Sequence, residues 1–128
     1  LPEGSTALVY SRGSVPATTL GMLQKGMTSV TAASKVAYTA VAGDQIVVDT
    51  VANPVTITLP SSPAVGDEVT IMDGSASNGF ATNNCIIARN SQPIEGDAIN
   101  DTLATNNQCV TLIYSNATKG WLYKSTNQ

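Results

Sequence analysis

Histidine is absent from the 128 residues, which removes the commonest general base and the commonest metal ligand. A serine–histidine or cysteine–histidine catalytic pair is therefore excluded within this chain. Charge is scarce as well, with 12% of residues charged and a net charge of −3 spread without runs. No basic patch exists to neutralise a phosphate backbone, so nucleic acid is not expected as a partner. No apolar run approaches the roughly 20 residues of a membrane span. No basic start followed by an apolar centre marks a signal peptide, so no membrane partner is expected either. The start at Leu1 instead of Met fits a fragment or a processed product.

Cysteine is limited to Cys85 and Cys109, which head the apolar runs Cys85-Ile-Ile and Cys109-Val-Thr-Leu-Ile. A disulfide between neighbouring strands stays open. Without a dense cysteine framework, free thiols buried as small hydrophobes are the favoured expectation. Thr, Ser, Asn and Ala supply most of the remaining polarity, which suits an extracellular or virion surface.

What is present is strand punctuation in a chain of one domain's length. Gly43–Asp73 holds the runs Gln45–Asp49, Pro54–Leu59 and Asp67–Asp73, separated by Ala-Asn-Pro and by a Pro-Ser-Ser-Pro-Ala-Val-Gly segment. Val55, Ile57 and Leu59 alternate with Thr56 and Thr58, and Val69 and Ile71 alternate with Glu68, Thr70 and Met72. A period of two places the aliphatic set on one buried face. The three runs read as a β meander. Further strands are expected at Val36–Thr39, Cys85–Arg89, Val110–Ser115 and Trp121–Lys124, with Ser115–Gly120 joining the last two as a hairpin. The expectation is an all-β fold, an antiparallel, jelly-roll-like β-sandwich over residues 35–128.

Residues 1–34 differ. They are rich in Ser, Thr, Ala and Gly and read as a mostly extended N-terminal arm, an attachment segment. Within it Leu8–Tyr10 fits an edge strand, and Pro16–Gly26 a short helix capped by Thr18 or Thr19 and ended by Gly26, weakened by Gly21. Two polar stretches interrupt the strands. Gly74–Asn84 has Phe80 to fold it back onto the sheet, and Glu95–Leu103 has Ile94, Ile99 and Leu103 as inward anchors.

The acidic residues Asp44, Asp49, Asp67, Glu68, Asp73, Asp97 and Asp101 could supply a carboxylate pair for glycoside hydrolysis. Most sit beside glycine or at strand ends, where a carboxylate caps a turn, and that role accounts for them better. No enzyme and no cofactor is expected. Asp73–Gly79 carries oxygen-bearing side chains at alternate positions, but Asn78 stands where a helix-loop-helix calcium loop needs glycine, and Asn84 where it needs a bidentate Glu. A calcium site of another kind stays open as the lesser reading. Asn100-Asp-Thr and Asn116-Ala-Thr match the N-glycosylation tripeptide, a frequent chance match. Tyr10, Tyr38, Tyr114, Trp121 and Tyr123 are the candidates for a sugar-stacking platform. Trp121 and Tyr123 share a face opposite Leu122, so either the rings or the leucine is buried, and a tryptophan after Gly120 more often closes a core. The candidate glycan or partner contacts are Trp121, Tyr123, Asn78, Phe80, Asn83 and Asn116.

Val55-Thr-Ile-Thr-Leu-Pro60, Gly66-Asp-Glu-Val-Thr-Ile-Met-Asp73, Ile94-Glu-Gly96, and Val110-Thr-Leu-Ile-Tyr114 followed by Gly120-Trp121 occur in that order. Over about Ala40 to Lys124 the chain thereby resembles a β-module recurrent in bacteriophage tail fibres, tailspikes and other virion proteins. The arm is not matched. The resemblance implies a non-enzymatic structural module located in the virion. Such a module packs against other virion proteins, often as a homotrimer, and presents loops to a host surface glycan. A capsid decoration protein and a carbohydrate-binding adhesin are the alternatives.

Overall fold

The computed structural model describes residues 26–31 and 35–127. Among these residues the ordered elements are nine strands: β1 (Met27–Thr31), β2 (Ala37–Thr39), β3 (Gln45–Asp49), β4 (Val55–Thr58), β5 (Glu68–Asp73), β6 (Cys85–Ala88), β7 (Asp101–Leu103), β8 (Cys109–Asn116) and β9 (Gly120–Asn127). They form one sheet in the order β1-β3-β5-β8-β9 and a second in the order β2-β4-β6-β7.

The first six strands alternate between the sheets. β1, β3 and β5 run parallel in one, and β2, β4 and β6 run parallel in the other. The all-antiparallel, jelly-roll-like arrangement is thus corrected to two mixed sheets, and the meander is corrected too, because β3, β4 and β5 are not mutual neighbours. The physical reason lies in the connections. Parallel neighbours need a long crossover, and here the crossover from β3 to β5 is β4 itself, laid in the opposite sheet. Alternation of Val and Ile with Thr states which face is buried, and it is the same for either pairing. Antiparallel pairing appears only at the end, where β5 meets β8, β8 meets β9, and β6 meets β7.

Both sheets contribute to one core. Val30, Ile46, Val48, Val69, Ile71, Val110 and Leu112 from the first pack with Ala40, Val55, Ile57, Leu59, Ile87 and Leu103 of the second in one buried cluster. Each fully buried aliphatic side chain contributes about 1.5–3 kcal/mol. The threonines of β4 are half-buried on the outer face, and Thr70 and Thr111 bond across β5 and β8 at 3.0 Å on theirs.

β3 and β5 are reached through the same turn. In Val41–Asp44 the Val41 N–H donates to Asp44 Oδ2 at 2.9 Å while the Asp44 N–H donates to the Val41 carbonyl. In Ala64–Asp67 the corresponding bonds are 2.8 Å and 3.0 Å. Gly43 and Gly66 precede the two aspartates with φ of 90° and 95°, a conformation that favours glycine. Gly-Asp is therefore the lead-in to a strand of the first sheet, and these two carboxylates serve turns.

β1 lies inside the segment 1–34, so the sheet begins at Met27, with Val30 fully buried. Leu8–Tyr10 and the Pro16–Lys25 part of the helix expectation lie outside the described residues. Phe80 is fully buried, as its loop requires, and Ile94 and Leu103 are buried anchors. Ile99 is not an anchor, being 69% exposed. The chain bends at Ala98–Ile99 between the Ile94–Asp97 turn and β7, and Ile94 and Leu103 already hold the inward positions. Cys85 and Cys109 are free thiols on strands of different sheets.

Candidate functional site

Two polar regions rim the fold. The first joins the loop after β5 to the loop between β7 and β8. Asp73, at the end of β5, holds them together: Oδ1 accepts the Ser75 N–H at 3.0 Å, and Oδ2 accepts the N–H groups of Phe80 at 3.1 Å and Asn107 at 3.0 Å. Burial raises the Asp73 carboxyl, but the backbone and hydroxyl of Ser75 and the N–H groups of Phe80 and Asn107 outweigh it. The group sits below the ordinary carboxylate range. Asn106 Oδ1 accepts the Ala81 N–H at 3.0 Å, adding a second tie between the loops. A Cβ at Gly79 would fall on Asp73 Oδ2, so the tight approach requires glycine.

A polar cleft of about 180 Å³ remains between the loops, lined by Asp73, Ser75, Ser77, Asn78, Asn106 and Asn107. Asn78 and Asn107 take φ of 48° and 63°, a region asparagine tolerates. The Asp73 oxygens are occupied by backbone N–H groups, which is the arrangement of a turn cap. Among the described residues no group of three or more His, Cys, Asp or Glu side chains could hold a metal ion. The cleft offers hydroxyls and amides, suited to neutral polar ligands.

The second region closes the other side of the sheets against β9. The Trp121 N–H donates to the Pro93 carbonyl at 2.8 Å, the Glu95 N–H to the Trp121 carbonyl at 2.8 Å, and the Gly96 N–H to the Lys119 carbonyl at 2.9 Å. The segment from Pro93 to Gly96 therefore runs beside β9. Gly120 has φ of 70°, and a Cβ there would fall on the Pro93 carbonyl oxygen, so only glycine fits. Tyr123 fastens the closure, donating its hydroxyl to Asp101 Oδ2 and its N–H to Glu95 Oε2. Burial, then the Asp101 hydrogen bond and the charges of Asp101 and Glu95, push the Tyr123 phenol well above its ordinary range. Glu95, Asp97, Ile99, Asn100 and Asp101 line a shallow cleft beside it.

The six candidate contacts do not form one surface. Trp121 and Phe80 are fully buried and cannot touch a ligand. Trp121 packs edge-on to Tyr114 with centroids 5.5 Å apart, and its indole N–H is buried without an acceptor among the described residues. Tyr123 is half-buried in the closure. Asn83 donates its side-chain amide to the Thr50 and Val51 carbonyls at 2.8 Å and 3.2 Å, binding the loop to the end of β3. Asn116 Oδ1 accepts the Thr118 and Lys119 N–H groups and caps the β8–β9 turn. Asn78 alone lines the polar cleft. Missing from the candidates were Asn106 and Asn107, whose signal was the Thr-Asn-Asn-Gln stretch between two strands. No family model matches the chain, and no curated protein shows significant similarity to it.

Proposed function

We propose that this chain is a non-enzymatic structural module of a bacteriophage virion, most plausibly of a tail fibre or spike, with its two sheets packed as a β-sandwich. One observation supports the reading above the others. The four segments that resemble the virion module, far apart in sequence, meet in the fold: Gly66 and Asp67 bond the Tyr114 backbone at 2.9 Å and 2.8 Å, and Ile94 bridges Trp121. The resemblance thus rests on a packing unit, and not on isolated strand signals. The acidic side chains with assigned bonds mostly serve turns and closures, which favours a structural role over hydrolysis.

The residues before β1 fit the attachment role, and homotrimers are the form such modules commonly take. The test is mass spectrometry of purified particles from the phage or prophage that encodes the chain. Peptides of this chain at fixed stoichiometry with other virion proteins are expected, and their absence from particles would overturn the reading.

A carbohydrate-binding adhesin is favoured by a single feature, the polar cleft of Asn78, Asn106 and Asn107. It has no exposed aromatic to carry a sugar face. Titration with bacterial surface glycans, read by isothermal calorimetry, separates the two: saturable binding lost in Asn106→Ala supports the adhesin.

A further inference from the structure

The two ends of the paired sheets are finished differently. At one end the outer strands β7 and β9 carry charges, Asp101 and Lys124, and are tied to each other by Tyr123. Charged side chains are how natural edges resist adding a further strand. At the other end the outer strands β1, Met27-Thr-Ser-Val-Thr31, and β2, Ala37-Tyr-Thr39, carry none. Met27, Val36 and Val41 flank these strands at 58%, 51% and 51% exposure. Val30, Tyr38 and Ala40 form the last layer of the core on this side.

We propose that this uncharged end is a docking surface for the chain's own preceding residues, 1–25, which add one more strand to each sheet. Those residues are joined directly to β1 through Gly26, so their effective concentration at the edge exceeds that of any free partner. Their sequence carries the required period. Met27 pairs with Gln45, a step of 18 residues between successive strands of one sheet. The same step back from the inward-facing Tyr38 and Ala40 falls on Leu20 and Met22, which alternate with Thr19 and Gly21. Ahead of them Leu8 and Tyr10 flank Val9, the same alternation for the strand beside β1. The strands take the place of the Pro16–Gly26 helix, and stacked parallel strands with terminal caps are how such arrays finish.

The test is an engineered cross-link in the full chain. Thr19→Cys with Ala37→Cys, both on the outward face, brings the two thiols onto adjacent strands at a separation a disulfide can span. Diamide oxidation in a Cys109→Ser background is followed by peptide mapping without reduction. A bond within one chain is the expected result. Bonds between chains would assign the edge to a second copy, and no bond would leave the edge to another partner; either overturns the proposal. Hydrogen exchange on the unmodified chain is the second measurement. Slowed exchange at Leu8–Tyr10 and Leu20–Met22, unchanged over a hundredfold dilution, is expected. Exchange there at the rate of an unstructured peptide, or slowing that disappears on dilution, overturns the proposal.

Discussion

The half of the fold built from β1–β6 and the half built from β7–β9 bury similar side chains, yet they secure their strands by different means. In the first half each strand finds its neighbour only after the chain has visited the opposite sheet, and the order is kept by repeated lead-in turns and inward aliphatics. In the second half neighbours are close in sequence, and specific closures hold them: the Asp73 hub, the Gly120–Pro93 contact and the Tyr123–Asp101 pair. Redundancy is therefore expected in the first half, and dependence on single residues in the second.

Trp121→Ala should break that contrast most severely. Removing a fully buried indole costs about 3–5 kcal/mol, to be read as the fall in unfolding free energy in urea. Trp121→Phe should cost much less, because the indole N–H gives up no hydrogen bond among the described residues. Gly120→Ala should follow, at about 3 kcal/mol, because a positive φ and the Pro93 carbonyl oppose any Cβ. Asp73→Ala leaves the Phe80 and Asn107 N–H groups without their acceptor and should cost about 2–3 kcal/mol. Its signature is faster hydrogen exchange in both loops, with β1–β4 unaffected.

Acid sharpens the same point. The Asp73 carboxyl lies lower in the folded chain than in the unfolded one, so its contribution is complete above the unfolded value of about 4 and fades as pH falls through the folded value. Thermal melts of the wild type should therefore drop below about pH 4, and the drop should be shallower in Asp73→Asn. In the first half Val30→Ala, on an outer strand, should cost only about 1–2 kcal/mol. Tyr123→Phe, removing one hydroxyl from a half-buried pair, should cost about 1 kcal/mol, with exchange at β7 as the readout.

Much of the strand content was legible because Val, Ile and Leu alternate with Thr at a period of two, as in Val55–Leu59. Two strands escaped. β1 hides in a Ser- and Thr-rich stretch whose one deeply buried aliphatic is Val30, and β7 is a three-residue strand inside a polar segment. The turn role of the aspartates was readable at Asp44 and Asp67 because each follows a glycine. The polar cleft was half-readable: Asn78 stood out in its Gly-Ser-Ala-Ser-Asn-Gly loop, while Asn106 and Asn107 acquire meaning only beside it. The aromatic contacts were misplaced because residue type says that a ring will be well packed or functional without saying which, and Trp121 closes the core.

The sequence by itself determined the strand class, the inward face of each strand, the positions that turn, and the absence of a histidine-based site, since these follow from side-chain shape and local backbone preference. Only the tertiary structure decided which strands are neighbours, that β3 and β5 are parallel while β4 lies in the other sheet, and that Asp73 ties two distant loops together. Pairing is a contest between surfaces far apart in the chain, and a period of two satisfies every candidate partner equally until the connections and the shared core choose among them.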